Sequence, residues 1–130
     1  MKKIKNSRVV ICEAARPLVT PDQIKRIASV DYPSVSYAFP SVDTIFYKNR
    51  HLDRMSSFQL QLPQSFDRDM LLESHRNSIF RDSTSDTFLI QDYFGVKPRL
   101  ILGGRNLFKV TYPGDIEYLD ILEDLFCQKK

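Results

Sequence analysis

Several features that often carry chemistry are scarce in this 130-residue sequence, which has no tryptophan, four glycines and two cysteines. Cys12 and Cys127 stand far apart, with no C-x-x-C pair and no histidine at ligand spacing. Neither a disulfide framework nor a thiolate metal site is therefore expected. Free cysteines of this kind suit a reducing compartment, and we expect the protein in the cytoplasm.

The glycines are too dispersed to form a loop that cradles phosphate groups. They stand at positions 95, 103, 104 and 114. A triphosphate-binding loop places several glycines between a strand and the first turn of a helix, and no stretch of this sequence has that pattern. We therefore do not expect these residues to hold a nucleoside triphosphate by themselves.

Long apolar runs are also missing. The first run, residues 9–12, is followed at once by charged residues at positions 13 and 16. No later run approaches the roughly 20 apolar residues that a membrane helix needs, and the amino terminus lacks the apolar centre of a signal peptide. We expect neither export nor a membrane partner.

The charges are nearly balanced, with 19 Lys and Arg against 16 Asp and Glu. Four of the basic residues, Lys2, Lys3, Lys5 and Arg8, lie within the first eight positions. Nucleic-acid binding typically needs basic residues interleaved with aromatic ones along one element, which this tail does not provide. We expect no nucleic-acid partner.

The first predicted elements of the chain are a strand, a charged loop and a helix. Residues 9–12 are β-prone, and Glu13 falls at the carboxyl end of this predicted strand, which is the edge of an α/β sheet where ligands bind. Thr20 and Gln23 form a predicted capping box, with Pro21 at the first helical position. The alternative interpretation is an ordinary loop between a strand and a helix, with Glu13 and Arg16 solvated.

Predicted strands and helices alternate along the rest of the chain, as in an α/β protein. Residues 1–130 are predicted to form one domain. Predicted strands cover 35–39, 96–102 and 107–110, and predicted helices cover 21–30, 67–79, 85–93 and the region after 113. The first strand, helix and strand should form a right-handed βαβ unit. The last helix should bury Ile116, Leu119, Leu122 and Phe126. The fold class is α/β, with a partial doubly wound sheet.

Residues 41–62 interrupt this alternation and predict a protruding two-stranded β-arm. Segments 44–47 and 58–62 have strand character, and the polar segment 48–54 between them indicates an exposed turn. Because a two-stranded arm is marginal alone, it should lie against another surface.

Five short motifs together carry a resemblance to a known family. They are Glu-Ala-Ala-Arg-Pro at 13–17, Asp-Thr at 43–44, Asp-Arg at 53–54, Pro-Gln-Ser-Phe at 63–66, and Lys-Val-Thr-Tyr-Pro-Gly-Asp-Ile at 109–116. In this order, the sequence resembles the carboxyl-terminal half of the 2-C-methyl-D-erythritol 4-phosphate cytidylyltransferases. The related ribitol-5-phosphate cytidylyltransferases are similar.

The resemblance implies a Rossmann-like nucleotidyltransferase fold and a homodimer made by the β-arms. It implies transfer of CMP from CTP to a sugar-alcohol phosphate, in the pathway to isoprenoid precursors. Glu13 and Ala14 would then bind substrate, with Glu13 also a ligand for Mg²⁺. Thr44 and Arg54 would reach the substrate phosphate from the partner's arm, and Lys109 would face the same site. Arg54 and Lys109 would be catalytic.

Departures from the family pattern leave alternatives open. Leu62 replaces a threonine, Thr87 stands where an acid is common, and Glu13 is one methylene longer than the usual aspartate. The nucleotide-binding half of the family has no counterpart in this sequence, so the isolated chain should be inactive. The first strand should then have an open edge, which implies a companion polypeptide, pairing with a second copy, or a truncated gene product. The basic tail, Lys2 to Lys5, would partly guard this edge. The alternative function is a non-catalytic remnant that dimerises or binds a phosphorylated ligand.

Overall fold

The computed structural model describes residues 7–80 and 82–127, which form a mixed sheet flanked by helices. The strands are β1 (Arg8–Ile11), β2 (Ser34–Pro40), β3 (Phe46–Tyr47), β4 (Arg50–His51), β5 (Phe58–Asp67) and β6 (Arg99–Leu102). The helices are α1 (Pro21–Ala28), α2 (Arg68–Asn77), α3 (Asp86–Phe94) and α4 (Asp115–Cys127). The predicted α/β class is confirmed, and a two-stranded arm is present, although its second strand is not the predicted one.

The main sheet has the order β1-β5-β2-β6. Strand β5 runs antiparallel to both β1 and β2, whereas β2 and β6 are parallel. The predicted unit of β1, α1 and β2 therefore has parallel strands that are not neighbours, because β5 lies between them. On its other side β1 has no partner strand among the described residues, so the expected open edge is present. Lys2, Lys3 and Lys5, predicted to guard it, lie outside those residues.

Two apolar clusters cover opposite faces of the sheet. On one face, Ile27 of α1 packs with Val35 and Tyr37 of β2. On the other, Phe66 of β5 packs with side chains of α2 and α3, Leu71 and Ile90. The alternation of side chains along each strand assigns these residues to opposite faces, and this makes the sheet the centre of the fold.

Local signals fix the ends of the helices as predicted. The Thr20 hydroxyl accepts a hydrogen bond from the Gln23 backbone N–H, and the Gln23 side chain accepts one from the Thr20 N–H. The Asp67 carboxylate caps α2 by accepting bonds from the first-turn amides. Gly95 ends α3 in the left-handed region, at φ +70°.

The arm is smaller than predicted. Strand β3 pairs with β4 through a turn at Lys48 and Asn49, both with positive φ. Residues 58–62, predicted as the second arm strand, instead begin β5 and pair with β2 in the main sheet. The alternating pattern of residues 58–62 correctly predicted a strand. The predicted partner of this strand was wrong, because residues 58–62 form one end of the long pairing between β2 and β5.

The predicted strand at 107–110 is wrong. A 3-10 helix at Arg105–Leu107 precedes an irregular segment. Leu107 is fully buried in the cluster with Ile27. The Val110 N–H donates to the carbonyl of Ala15, at 2.8 Å, so this segment pairs with the loop after β1 instead of extending the sheet.

Helix α4 follows as predicted, but its apolar face is only partly covered. Leu119 and Leu122 are half-buried, whereas Ile116 and Phe126 are 57% and 48% exposed, so the prediction was wrong for those two. In the part of the chain that the structure describes, no helix has the length and apolar character to cross a membrane.

Gly95 offers a test of the α3 terminus. Replacing it with alanine should lower the free energy of unfolding by about 1 to 2 kcal/mol, because an L-residue is strained in the left-handed region. No atom lies within 4 Å of the added Cβ, so conformational strain is the only cost. Gly114→Ala, equally open but without positive φ, is the control. Urea denaturation measures both, and equal stabilities would contradict the assignment.

Candidate functional site

The candidate site begins where β1 ends. The chain turns directly after the strand, and the turn is closed by the Arg16 N–H, which donates to the Glu13 carbonyl at 3.0 Å. Glu13 is half-buried at this edge, and Ala14 beside it is exposed. The Glu13 carboxylate therefore lies at the end of β1, on a backbone turn that is closed by a hydrogen bond.

Two cationic side chains hold the Glu13 carboxylate. The Lys109 Nζ lies 2.6 Å from Oε1, and the Arg16 Nε lies 3.0 Å from Oε2. The hydrogen bond from Lys109 lowers the pKa of Glu13 most; burial opposes this, and the positive charges of Arg16 and Lys109 lower it further. The carboxylate is therefore charged at neutral pH.

Arg16 is the residue that sequence reasoning missed as a member of the site. Its side chain is 11% exposed, and a second guanidinium nitrogen, Nη1, donates to the Leu107 carbonyl. The available signal was local: an arginine three residues after Glu13, in the same turn, can reach back to the carboxylate. Its contact with Leu107, far along the chain, had no such signal.

A groove of about 600 Å³ adjoins these charges. Its basic members are Arg16, Arg105 and Lys109. Its apolar walls come from the end of β2, the start of β5, the segment 107–110 and α4. They include Phe39, Leu60, Phe108, Tyr118 and Ile121. The groove therefore has cationic groups beside an apolar surface.

The arm residues predicted for the site lie apart from it within one chain. Thr44 is exposed, and Arg54 donates to the Val42 carbonyl at 3.3 Å. Neither residue lines the groove, although Val42 does. The structure thus brings together Glu13 and Lys109 but not Thr44 and Arg54, whose predicted contact requires the arm of a second copy and stays a prediction.

The residues present do not by themselves form a site for Mg²⁺. Both oxygens of Glu13 accept hydrogen bonds from cationic groups, and no group of three His, Cys, Asp or Glu side chains able to hold a metal occurs among the described residues. Protein-bound Mg²⁺ usually draws ligands from phosphates and water as well as carboxylates. The metal-binding role of Glu13 stays a prediction.

The charge of Glu13 should appear in the pH dependence of stability. Its pKa in the folded protein lies below the ordinary value of 4.5. The contribution of the charged Glu13 to the free energy of unfolding should therefore be complete above pH 4.5. This contribution should disappear as the pH falls through the lowered pKa. Glu13→Gln should cost about 1 to 2 kcal/mol at pH 7, and the deficit should shrink in acid. Denaturation from about pH 7 to about pH 3 measures this.

The matched control for that series is Glu123→Gln, at an exposed position of α4. It should show no comparable pH-dependent deficit. A Glu13→Gln deficit that stayed constant throughout the acid range would contradict the ion-pair interpretation.

Similar proteins were found by sequence. The family model described as 2-C-methyl-D-erythritol 4-phosphate cytidylyltransferase matches residues 1–122. Curated proteins with that name include one from Alkaliphilus oremlandii, 32% identical over 85% of this chain and 50% of its own length. Another, from Chlorobium phaeovibrioides, is 29% identical over 94% of this chain and 55% of its own. The chain thus spans about half the length of these relatives.

Solved structures agree with the sequence match. The cytidylyltransferase of the same name from Thermus thermophilus has a TM-score of 0.77 at 25% identity, covering 89% of this chain and 61% of its own. The structure of a 4-diphosphocytidyl-2C-methyl-D-erythritolsynthase from Anaerococcus prevotii has a TM-score of 0.79 at 20% identity. The match covers 92% of this chain and 58% of the other chain, and at this identity it supports the fold alone. This chain belongs to the 2-C-methyl-D-erythritol 4-phosphate cytidylyltransferase family.

Proposed function

We propose that this chain is the substrate-binding and dimerisation half of a cytidylyltransferase that transfers CMP from CTP to 2-C-methyl-D-erythritol 4-phosphate. Membership of the family supports the reaction class. The observation that carries the proposal is the cluster of Glu13, Arg16 and Lys109, which places a net positive charge at the carboxyl end of β1, beside an open groove.

The chemistry of the cluster suits a sugar-alcohol phosphate. The Lys109 side chain is 46% exposed, and its ammonium has hydrogens left to donate after it contacts Glu13. The Glu13 carboxylate can accept a hydrogen bond from a hydroxyl group of the ligand. Such transfers depend mainly on positioning and on neutralising phosphate charge, for which Lys109, with Arg54 from a second copy, would be suited.

CTP would need residues beyond those in this chain. The adjacent glycines 103 and 104 lack the helix of a phosphate-binding loop, because only the short 3-10 helix Arg105–Leu107 follows them. A Cβ at Gly103 would lie 2.1 Å from Gln61 Oε1, so an alanine there would require the Gln61 side chain to move. The nucleotide-binding part, with any Mg²⁺ it brings, would complete the enzyme, and the open edge of β1 is a place where it could attach.

Dimerisation through the arm would complete the substrate site. The arm exposes Phe46, Tyr47 and Met55, with Phe46 62% and Met55 80% exposed. The apolar walls of the groove on the same chain offer a complementary surface. In a two-fold dimer, each arm could cover the partner's groove and bring Thr44 and Arg54 to the Glu13 and Lys109 pair of the other copy.

The alternative is a non-catalytic family member that dimerises or binds a phosphorylated ligand. A preference for ribitol 5-phosphate as substrate is a further variant of the proposal. Calorimetry with each polyol phosphate distinguishes the two substrates.

Calorimetric titration with 2-C-methyl-D-erythritol 4-phosphate tests the site. Lys109→Ala and Arg54→Ala should each weaken binding roughly ten- to a hundredfold, because each removes a charge-assisted contact. Lys48→Ala is the control, since Lys48 lies at the arm turn over the ring of Tyr47. Equal affinity for wild type and both variants would remove the site from the proposal.

Two additions to this titration test which polyol phosphate is preferred and whether a nucleotide-binding half is required. Ribitol 5-phosphate should bind less tightly than 2-C-methyl-D-erythritol 4-phosphate, and the reverse order would reassign the substrate. With CTP added, the chain should release no pyrophosphate. Release would contradict the proposal that the nucleotide-binding half is required.

Sedimentation tests the arm. The double variant Phe46→Asp and Met55→Asp should shift a dimer toward monomer, because it places charge on a surface that the dimer would bury. Ile79→Asp, on an exposed apolar residue outside the arm, is the control and should leave the mass unchanged. A dimer unaffected by the arm variant would show that the main interface lies elsewhere.

A further inference from the structure

We propose that the groove has a second binding region, apart from the Glu13 and Lys109 pair, which takes a soluble anionic amphiphile. Such a ligand has one phosphate or carboxylate head on an apolar chain. The region is called the amphiphile region, and it is formed by Phe39, Leu60, Arg105, Tyr118 and Ile121. It does not depend on the proposed function, because its residues are different from those proposed to bind the polyol phosphate.

The apolar walls of the amphiphile region are open to solvent. Leu60 is 38% exposed, Ile121 is 59% exposed and Tyr118 is 63% exposed, and all three line the groove. Contiguous apolar surface in a groove commonly marks a binding site, and a volume of about 600 Å³ is within the usual range for small ligands. The walls therefore offer space and contact area for an organic ligand.

A polyol phosphate does not account for these walls. Its hydroxyl groups are distributed along the molecule, and they would lose hydrogen bonds to water against apolar side chains that return none. A hydrocarbon chain gains free energy from the same contact, because its surface is removed from water. The part of the ligand that lies against β2, β5 and α4 is therefore apolar.

Arg105 supplies the charge that selects an anionic head. Its side chain is exposed at the groove, and among the residues that the structure describes its guanidinium has no hydrogen-bond or ion-pair partner. Lys109, in contrast, is held by Glu13 at 2.6 Å. The described residues that line the groove include three basic side chains and no acidic one. A guanidinium can donate two parallel hydrogen bonds to a phosphate or carboxylate, so the head belongs at Arg105.

Calorimetric titration with monomeric n-decyl phosphate tests both parts of the ligand. Each methylene buried against the walls should tighten binding about fourfold. n-Decyl phosphate should therefore bind at least about fiftyfold more tightly than n-butyl phosphate, even if only about half of its additional methylenes are buried. Decyltrimethylammonium, with the same chain and a cationic head, should bind at least about tenfold less tightly than n-decyl phosphate. Equal affinity for n-decyl phosphate and either control compound would overturn the proposal.

Three variants at exposed positions locate the ligand. Arg105→Gln should weaken binding of n-decyl phosphate about tenfold, because it removes a charge-assisted contact. Ile121→Gln should weaken it about five- to tenfold, because it removes apolar contact with the chain. Leu125→Gln is the matched control, since Leu125 is on the same helix and also 59% exposed but does not line the groove. Wild-type affinity in both groove variants, or an equal loss in Leu125→Gln, would place the ligand elsewhere.

Two other occupants of the walls are outcomes of the same test. If the arm of a second copy filled the walls, the double variant Phe46→Asp and Met55→Asp would bind n-decyl phosphate more tightly than the wild type. That result would refute the amphiphile region. If a membrane surface were the partner, the protein would sediment with vesicles of phosphatidylcholine and phosphatidic acid yet fail to bind monomeric n-decyl phosphate. This outcome would also refute it.

The result is separable from that of the proposed function. A wild-type protein that binds n-decyl phosphate but no polyol phosphate would remove the proposed function and keep the amphiphile region. A protein that binds only the polyol phosphate would do the reverse. Lys109→Ala distinguishes the two sites further, because it should weaken binding of the polyol phosphate more than binding of n-decyl phosphate, and the opposite order would contradict the assignment of the head to Arg105.

Discussion

The candidate site depends on one contact between distant parts of the chain, the attachment of the segment 107–110 to the loop after β1. Burial of Leu107 in the core anchors this segment. The hydrogen bond from the Val110 N–H to the Ala15 carbonyl then sets its direction. The Arg16 guanidinium adds to this by donating to both the Glu13 carboxylate and the Leu107 carbonyl. Lys109 is consequently presented to Glu13, and the groove opens beside them.

Local features of the fold could be predicted from the sequence because their causes are local. The capping box at Thr20, the cap at Asp67 and the helix stop at Gly95 each need only a few neighbouring residues. The insertion of β5 between β1 and β2 could not be predicted in this way, because strand order depends on pairing between distant segments. The prediction of a strand at 107–110 was wrong for a similar reason, because it depends on contacts with distant segments. Leu107 is buried in the core, but its segment does not join the sheet.

The candidate site shows a similar division. Glu13 and Lys109 were predicted from motifs, and the structure brings them into contact. Arg16 was missed because its importance comes from a contact with Leu107, which no spacing in the sequence indicates. Thr44 and Arg54 lie on an arm whose proposed function requires a second copy, so one chain holds only part of the proposed site.

The contact between Arg16 and Leu107 joins residues separated by 91 positions. Bringing two such distant points together costs chain entropy, and that cost is recovered only when the intervening elements have packed. The Glu13 cluster therefore depends on contacts between residues far apart in sequence and should be among the last features to form during folding. Its integrity reports on most of the chain, so a defect far from the groove can remove the charge cluster without touching any of its members.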